Sequence, residues 1–268
     1  MIIKIRTYHS QYAGGGLERG LLRLWTIMNI AEQIDVLELK LEVGGNVTVL
    51  HPFVIYEQGQ AILFDTGFPG SYEKLVALLK PEYPVRSVVL THQDMDHIGS
   101  LPQFMAHEPG LAVYAHEDDR AAIDGKAPFI KGSPERLNML LSSLSQVEAD
   151  TFRSVFSADT PDNVNHVLHD GDVLPFAGGL QVVHTPGHTP GHISLYHPGS
   201  KTLFTGDAMT VVDGKLFGPV PQFTPNLEQA ILSLNKFREL DVDTVVCYHG
   251  GIFTGDFQQR LDELLSGS

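Results

Sequence analysis

The sequence has little cysteine, little positive charge and no long hydrophobic run. Its one cysteine, Cys247, excludes an intrachain disulfide framework and any zinc site built from several thiolates. The chain has 18 Lys and Arg residues against 32 Asp and Glu, and the net charge of −14 disfavours binding to nucleic acid or to an anionic membrane. No stretch approaches the roughly 18 apolar residues of a membrane span. Thirteen histidines are present, so a metal in this chain must be held by His and carboxylate side chains.

The first 27 residues lack the periodicity of a folded element and the apolar core of a signal peptide. Charged residues at 18, 19 and 23 interrupt them, and three successive glycines occupy 14–16. We therefore expect a cytoplasmic protein in which residues 1–27 form a poorly defined extension and residues 28–268 a single domain. Deletion of residues 1–27 should leave the melting temperature nearly unchanged.

Strand and helix patterns follow one another through the rest of the chain. Runs of β-branched and aromatic residues predict strands at 36–43, 47–56, 61–64, 85–90, 111–114, 164–168, 180–184, 193–196, 202–204 and, as the last, 244–247. Helical spacing predicts helices at 71–80, 98–106, a segment after a Thr224 cap, and 257–265, with one long or two broken helices at 134–156. Two runs of strands followed by helices indicate two packed sheets with helices outside, and a helical insertion at about 117–156.

Four clusters of potential metal ligands each follow a predicted strand. The densest is Thr91-His92-Gln93-Asp94-Met95-Asp96-His97, and the others contain His188, Asp207 and His249. Ligands commonly bind in α/β sheets at the carboxyl ends of the strands. A lone His or Asp in a turn is more often a helix cap or a solvated side chain. Four such clusters at four strand ends favour a metal site.

The order of these motifs resembles that of the metallo-β-lactamase superfamily of dinuclear metallohydrolases, from about residue 36 to the C-terminus. The resemblance is carried by Asp65-Thr66-Gly67, residues 91–97, residues 186–192, Gly206-Asp207 and His249-Gly250. It implies an α/β fold, the αββα sandwich of two mixed β-sheets flanked by helices. It also implies two divalent metal ions at one edge of that sandwich.

The resemblance assigns a role to each matching residue. Seven residues match the metal ligands of the family. By this resemblance, His92, Asp94 and His188 would bind the first metal, Asp96, His97 and His249 would bind the second, and Asp207 would bridge the two. Asp65 would orient a ligand without binding metal, and Asp96 would also act in catalysis as a proton shuttle. His184 and His192 do not fall on a ligand position, and we interpret both as structural.

One position departs from the family pattern, which has a histidine where this chain has Asp94. A carboxylate is a harder ligand than imidazole, so we expect zinc, with iron or manganese as alternatives. Diiron reductases of the superfamily also carry a carboxylate here, but they pair this domain with a flavin-binding one, for which we see no room after Ser268. A diiron-type oxidoreductase with an external electron donor is therefore the alternative function.

The resemblance implies a metal-dependent hydrolase in which a hydroxide between the two metals attacks an ester, thioester or lactone carbonyl. The motifs look like those of lactonases and hydroxyacylglutathione hydrolases. Such a mechanism needs no protein nucleophile, and we interpret Cys247 as a buried small hydrophobe. We expect Phe217 and Phe223 to wall the substrate pocket. The expected partner is a small-molecule substrate, with no nucleic acid and no membrane, and a homodimer stays open.

Overall fold

The protein is described here by a computed structural model that covers residues 4–9, 24–43 and 45–267. The strands are β1 (Lys4–His9), β2 (Leu24–Ala31), β3 (Ile34–Leu37), β4 (Leu39–Val43), β5 (Asn46–Leu50), β6 (Phe53–Glu57), β7 (Gln60–Phe64), β8 (Val85–Val89), β9 (Ala112–His116), β10 (His166–Leu168), β11 (Val173–Leu174), β12 (Leu180–His184), β13 (Ile193–His197), β14 (Thr202–Phe204), β15 (Thr210–Val212), β16 (Lys215–Phe217), β17 (Thr244–Cys247) and β18 (Gly251–Phe253).

The helices follow the strands in both halves of the chain. They are α1 (Tyr72–Leu78), α2 (Met95–Ile98), α3 (Leu101–His107), α4 (Glu117–Ile123), α5 (Pro134–Leu141), α6 (Gln146–Val155), α7 (Leu227–Ser233) and α8 (Phe257–Ser266), with 3₁₀ turns at Pro198–Ser200, Pro221–Phe223 and Leu234–Glu239. Helices α6 and α8 have ten residues each. Within the described ranges, every helix is too short or too polar to cross a membrane.

Two mixed β-sheets form the centre of the fold. The first has the strand order β1-β2-β3-β6-β7-β8-β9-β10, antiparallel as far as β7 and parallel from there. The second has the order β11-β12-β13-β14-β17-β18, with one parallel pair, β14 and β17. The hairpins β4-β5 and β15-β16 stand outside both sheets. Strands β3, β6 and β13 are almost wholly inaccessible to solvent, which explains why their sequences are rich in apolar residues.

Three hydrophobic layers hold the sheets and helices together. The middle layer contains residues of both sheets, and in it the Phe53 ring stacks on Phe64 at 3.9 Å and on Phe204 of the other sheet at 3.8 Å, measured between centroids. One outer layer joins the first sheet to α1 and α3, and the other joins the second sheet to α8. The order of layers is helix, sheet, sheet, helix, which confirms the predicted αββα sandwich.

The structure corrects several predicted element boundaries. The predicted strand at 47–56 is broken at Pro52, which has no backbone N–H to donate to a ladder, so β5 pairs with β4 and β6 joins the first sheet. The residue that caps α7 is Asn226 and not Thr224, because the Asn226 side chain accepts a hydrogen bond from the Gln229 N–H at 3.1 Å. Strand β18 follows β17, so β17 is not the last strand.

The segment 117–156 contains α4, α5 and α6. Residues 134–156 form two helices because Ser145 and Glu148 make a capping box that starts α6. At the N-terminus, the domain boundary expected at residue 28 falls inside β2, where Ile27 pairs with Leu37 of β3. Residues 1–3 and 10–23 lie outside the described residues. The melting temperature of a chain without residues 1–27 stays the test of that boundary, and the deletion would remove β1 and half of β2.

Candidate metal centre

Five loops that follow β7, β8, β12, β14 and β17 meet at one edge of the sandwich. Strands β7 and β8 are parallel, and so are β14 and β17, so the loops after each pair leave the sheets on the same side. The loops contain, in chain order, Asp65, residues 92–97, His188, Asp207 and His249. The seven residues predicted as ligands are thereby brought into one cluster.

The first group of donors consists of His92, Asp94 and His188. Asp94 Oδ2 lies 3.1 Å from His188 Nε2 and 3.4 Å from His92 Nε2. Asp207 Oδ2 adjoins this group at 3.3 Å from His188 Nε2. The donor atoms of His92, Asp94 and His188 therefore lie close enough together to bind one ion, and Asp207 lies beside them.

The second group consists of Asp96, His97 and His249. Asp96 Oδ2 lies 3.2 Å from His249 Nε2 and 3.9 Å from His97 Nε2. Asp207 faces this group too, because its Oδ2 is 3.4 Å from His249 Nε2 and its Oδ1 is 3.4 Å from His97 Nε2. Asp207 thus lies between the two groups, where a bridging ligand would have to lie.

These residues fit a pair of divalent metal ions. Tetrahedral ligands at the 2.0–2.1 Å typical of Zn–N and Zn–O bonds are about 3.4 Å apart, close to most of the separations between these donor atoms. Three buried atoms of the two groups, His92 Nε2, His97 Nε2 and Asp207 Oδ1, have no hydrogen-bond partner among the described residues. Unpaired buried polar atoms are costly, and two cations, one in each group, would satisfy all three.

The protonation of the cluster also matches a cation site. Burial raises the pKa values of the Asp94 and Asp207 carboxyls, but neighbouring histidines outweigh burial and hold both pKa values well below the usual range. Burial lowers the pKa of His249, yet Asp207 and Asp96 raise it to about 10. Burial also lowers the pKa of His97, but neighbouring carboxylates raise it well above its usual value, and Asp65 has the largest effect among them. The Asp94 and Asp207 carboxylates are ionised, and metal binding must release protons from the imidazoles of His97 and His249.

Asp65 is buried behind the second group. Its Oδ2 accepts hydrogen bonds from the His97 ring at Nδ1 and from the Thr91 hydroxyl, both at 2.8 Å, and its Oδ1 accepts one from the Thr91 N–H at 2.8 Å. Its backbone has a φ of +62°, a left-handed conformation that Asp tolerates better than most residues. The hydrogen bond from His97 Nδ1 to Asp65 orients the ring so that Nε2 faces the second group, and the role of Asp65 as a positioning residue stays a prediction.

The two histidines interpreted as structural differ in their surroundings. His192 is buried, pairs with Thr185 Oγ1 at 2.8 Å, and accepts a hydrogen bond from the Asp207 N–H at 3.0 Å, so it positions the backbone of the shared aspartate. His184 pairs with the Pro190 carbonyl at 2.8 Å. Its ring stacks on His116 with 3.8 Å between centroids and 15° between planes. His116, Asp118 and His184 form a third cluster of donors, but two stacked rings cannot both place a single ion in their planes.

Sequence patterns missed the residue that joins the two ligand loops, Asp119 of α4. This buried carboxylate accepts hydrogen bonds from the Gln93 N–H at 3.0 Å and Gln93 Nε2 at 2.8 Å, and from Thr189 Oγ1 at 2.6 Å and the Gly191 N–H at 2.8 Å. Loops 91–97 and 186–192 are therefore tied to one side chain. In sequence, Asp119 looks like an ordinary acidic residue in the first turn of a helix, and no signal marks it.

Tyr248 and Cys247 complete the buried surroundings. The Tyr248 ring lies 3.9 Å from the His97 ring, between centroids, and its hydroxyl donates to the Asp96 carbonyl at 2.5 Å. Cys247 is wholly buried, which confirms its interpretation as a small hydrophobe. Burial raises the pKa of its thiol to about 12, so it is not a nucleophile at neutral pH.

A cavity of about 430 Å³ opens onto the cluster. The insertion forms one wall with Phe129, Lys131 and Leu137, and Phe223 forms part of another. Phe217 does not line the cavity, so the expectation for this residue is wrong. In the β15-β16 hairpin Leu216 is buried, and the next side chain, Phe217, turns to the opposite side, where Arg260 of α8 lies 5.5 Å from its ring centre.

Comparison with known proteins agrees with this geometry. Residues 43–249 match the family model described as the metallo-beta-lactamase superfamily. The chain is 31% identical over 219 residues to "Probable metallo-hydrolase YflN" of Bacillus subtilis (strain 168), covering 76% of this chain and 80% of that one. It is 28% identical over 196 residues to a hydroxyacylglutathione hydrolase of Xylella fastidiosa (strain M12), covering 72% of this chain and 56% of that enzyme.

Solved structures show the same fold. A metallo-beta-lactamase family protein of Thermus thermophilus superposes with a TM-score of 0.63 at 23% identity, over 89% of this chain and 80% of that one. A metallo-beta-lactamase from Pontibacter korlensis superposes with a TM-score of 0.65 at 18% identity, over 91% of this chain and all of the other. At such identities the likeness concerns the fold alone.

Proposed function

Because this chain belongs to the metallo-β-lactamase superfamily and is a metal-dependent hydrolase, we propose that it cleaves the ester, thioester or lactone bond of a small-molecule substrate at a centre of two divalent ions. The proposal is supported chiefly by one observation. Seven His and Asp donors form two groups that share Asp207, and three of their buried atoms have no other partner among the described residues.

Each residue has a task in this proposal. His92, Asp94 and His188 would hold one ion, Asp96, His97 and His249 the other, and Asp207 both. When bound, the two ions supply an activated water and a Lewis acid for the scissile carbonyl. Asp96 borders the cavity, and His97 and His249 overcome burial to lower the pKa of its carboxyl. Asp96 Oδ2 faces His249 and His97 and would bind the ion, so the other carboxylate oxygen can accept a proton and return it to the leaving group.

Asp94 decides which metals the first group prefers. We propose zinc at both positions, with iron or manganese as alternatives, because two imidazoles and a carboxylate suit all three ions. The same carboxylate supports the second candidate, a diiron-type oxidoreductase with an external electron donor. Iron with redox-active absorbance would favour that candidate, whereas colourless protein with zinc would favour the hydrolase.

The test combines elemental analysis of the purified protein with a panel of aryl esters, thioesters and lactones. We expect two metal ions per chain and turnover of at least one of these classes. His188→Ala and Asp96→Asn should lower the bound metal and reduce kcat/KM at least about 100-fold, as losses of metal ligands do. His169→Ala, an exposed histidine on the surface, is the matched control and should behave as wild type. Full activity and unchanged metal content in His188→Ala would refute the proposed centre.

A further inference from the structure

The cavity beside the candidate metal centre carries two cations in a strongly acidic chain. Lys131 and Arg136 both line it, and both come from the helical insertion. The acidic residues that line it are Asp94, Asp96 and Asp207, and each belongs to the metal-binding groups. With those three carboxylates committed to two divalent ions, the cavity as a whole is positive although the chain has a net charge of −14. An anion would be attracted to this cavity.

The two cations differ in what already contacts them. Lys131 Nζ lies 2.6 Å from His188 Nε2 and forms an ion pair with Asp94, both donors of the first metal-binding group, and it donates to the Phe223 carbonyl at 3.1 Å. An ion bound by His188 and Asp94 would displace the Lys131 ammonium from these two side chains. Among the described residues, no carboxylate pairs with the Arg136 guanidinium. The hydrogen bond of Arg136 runs from its backbone N–H to Ser133 Oγ at 3.2 Å. The guanidinium therefore keeps its full capacity to bind a planar anion.

Lys131 has a defined position because its neighbours belong to the ligand network. The Ile130 N–H donates to Gln93 Oε1 at 2.8 Å, and the other end of that amide donates to Asp119. The segment before α5 is thus tied to the loop that carries His92 and Asp94. Arg136 follows in the first turn of α5, one helical turn beyond the Ser133 cap. Both cations therefore lie on the cavity wall that the insertion forms, and Lys131 is in contact with the first metal-binding group.

The surface between and around the cations is apolar. Met95, Phe129, Leu137 and Leu140 line the same cavity, and Phe129 and Leu137 pack partly into the neighbouring core. A substrate that fits must therefore present an apolar segment to this wall and a negative charge to Arg136.

We propose that Lys131 and Arg136 form an anion subsite, and that the substrate of this hydrolase is an acyl compound whose apolar chain carries a carboxylate remote from the scissile carbonyl. Arg136 binds that carboxylate, and Lys131, once an ion replaces it at His188 and Asp94, adds positive charge to the cavity. The inference rests on the proposed hydrolase function, and it narrows the substrate class from any ester, thioester or lactone to an anionic one.

The experiment compares two acyl chains of equal length, one ending in a carboxylate and one in a methyl group. They are the adipoyl half-ester and the hexanoyl ester of 4-nitrophenol, or the same acyl pair in the bond class that the substrate panel identifies. The measured quantity is the ratio of kcat/KM for the anionic substrate to that for the neutral one. We expect a ratio of about ten or more in the wild type, the value of one charge-assisted hydrogen bond.

Variants of the two cations test whether the subsite causes the preference for the anionic substrate. Arg136→Gln should lower it about tenfold, Arg136→Glu should invert the preference, and Arg136→Lys should restore part of it. Arg153→Gln is the matched control, because Arg153 lies on α6 of the same insertion, pairs with Asp150 and does not line the cavity. Since Arg136 is exposed, high salt should weaken the wild-type preference and leave the Arg136→Gln ratio unchanged. Lys131→Met is read together with its metal content, because Lys131 touches two metal-binding residues.

The outcomes separate the two proposals. Turnover of both substrates with a ratio near one, or a ratio that Arg136→Gln leaves unchanged, would overturn the anion subsite and leave the hydrolase intact. No turnover of any ester, thioester or lactone by metal-loaded protein would overturn the proposed function itself. A high ratio that survives Arg136→Gln but is lost in Lys131→Met with full metal content would move the carboxylate from Arg136 to Lys131, and so contradict the role given to Arg136.

Discussion

Asp65 shows what a single residue can contribute to a metal site without binding the metal itself. Its carboxylate holds the His97 ring and both polar groups of Thr91, and it is almost completely buried. A buried imidazole held by one carboxylate has one orientation and one tautomer available for metal binding.

We predict that Asp65→Ala weakens metal binding about 10- to 100-fold while the protein still folds. The physical reason is that His97 would lose the acceptor that aims its Nε2. Metal affinity can be measured by competition with a chromogenic chelator. The control is Asp241→Asn, a surface carboxylate paired with Lys201, which should bind metal as tightly as the wild type. Equal affinity in Asp65→Ala would show that His97 is positioned by its packing against Tyr248 instead.

Residue-scale patterns predicted the candidate ligands that the structure brings into one cluster, but not the charged residues of the cavity wall. The ligands are His and Asp residues in short loops after buried strands, and helix caps or solvated turns rarely produce four such clusters in one chain. Lys131, Arg136 and Asp119 are ordinary charged residues of a helical segment, and their function depends on what the fold places opposite them. The prediction for Phe217 was wrong for the same reason. A side chain on a hairpin faces one of two sides, and the tertiary contacts of the hairpin decide which side that is.

The elements that position the centre are loops whose conformation depends on close backbone approach. At Gly191, an added Cβ would lie 2.5 Å from the Asp119 nitrogen and 2.8 Å from its Cβ and Cγ. The loop after β12 can therefore approach α4 only with glycine at this position. The hydrogen bond from the Gly191 N–H to Asp119 depends on that approach.

We predict that Gly191→Ala separates the loop from α4 and lowers both the melting temperature and the metal content. The cost of such a clash in a packed region is about 1–3 kcal/mol of the free energy of unfolding. Gly218→Ala is the control, because its Cβ would meet only Leu234 at 3.9 Å. Thermal unfolding and elemental analysis of both variants give the comparison. A Gly191→Ala variant indistinguishable from Gly218→Ala would mean that the Asp119 contacts do not hold the two loops together.

Element types were predictable from periodicity, but their boundaries and pairings were not. The long run at 47–56 reads as one strand, and only the broken ladder at Pro52 shows that β5 and β6 belong to different sheets. Likewise, Asn226 and Thr224 are both good capping residues, and the chain path before α7 selects Asn226.

At the scale of the whole molecule, the centre links the two sheets electrostatically as well as geometrically. Asp207 and His249 follow strands of the second sheet, whereas Asp96 and His97 follow a strand of the first. Charge pairs between these residues raise the pKa of His249 to about 10 and that of His97 well above its usual value. The stability of the metal-free protein should therefore depend on pH.

We predict that the chelated protein loses stability as pH rises from about 7 to 8. Above about pH 7 the histidines of the unfolded chain are mostly deprotonated, whereas His97 and His249 stay protonated in the folded protein because their pKa values are raised. The folded protein then binds more protons than the unfolded chain, so stability must fall with rising pH. The window starts at about pH 7 because the lowered pKa values of His51, His92, His116 and His192 give the opposite dependence at lower pH. The window ends below the pKa of the unfolded Cys247 thiol, about 8.5, so that the thiol does not contribute. The measurement is the melting temperature in chelator across this range.

Two comparisons make this result specific. His249→Gln should show a shallower dependence, and metal-loaded protein should show little dependence, because bound ions keep the imidazoles deprotonated in the folded state. A melting temperature of the chelated wild type that rises over the same range would contradict the assigned protonation. His249 is about one-third exposed, so solvent screening will reduce the size of the effect but not its sign.

The sequence alone determined the fold class and the types of side chain available for chemistry. Hydrophobic periodicity predicts which faces are buried. The chain has one cysteine and 13 histidines, so its metal ligands must be His and carboxylate side chains. Tertiary structure alone decided how Asp207 lies between the two groups, how Asp119 joins their loops, and that Lys131 and Arg136 share a cavity with them. The physical reason is that burial follows from local pattern, whereas the charge and shape of a cavity depend on residues far apart in the chain.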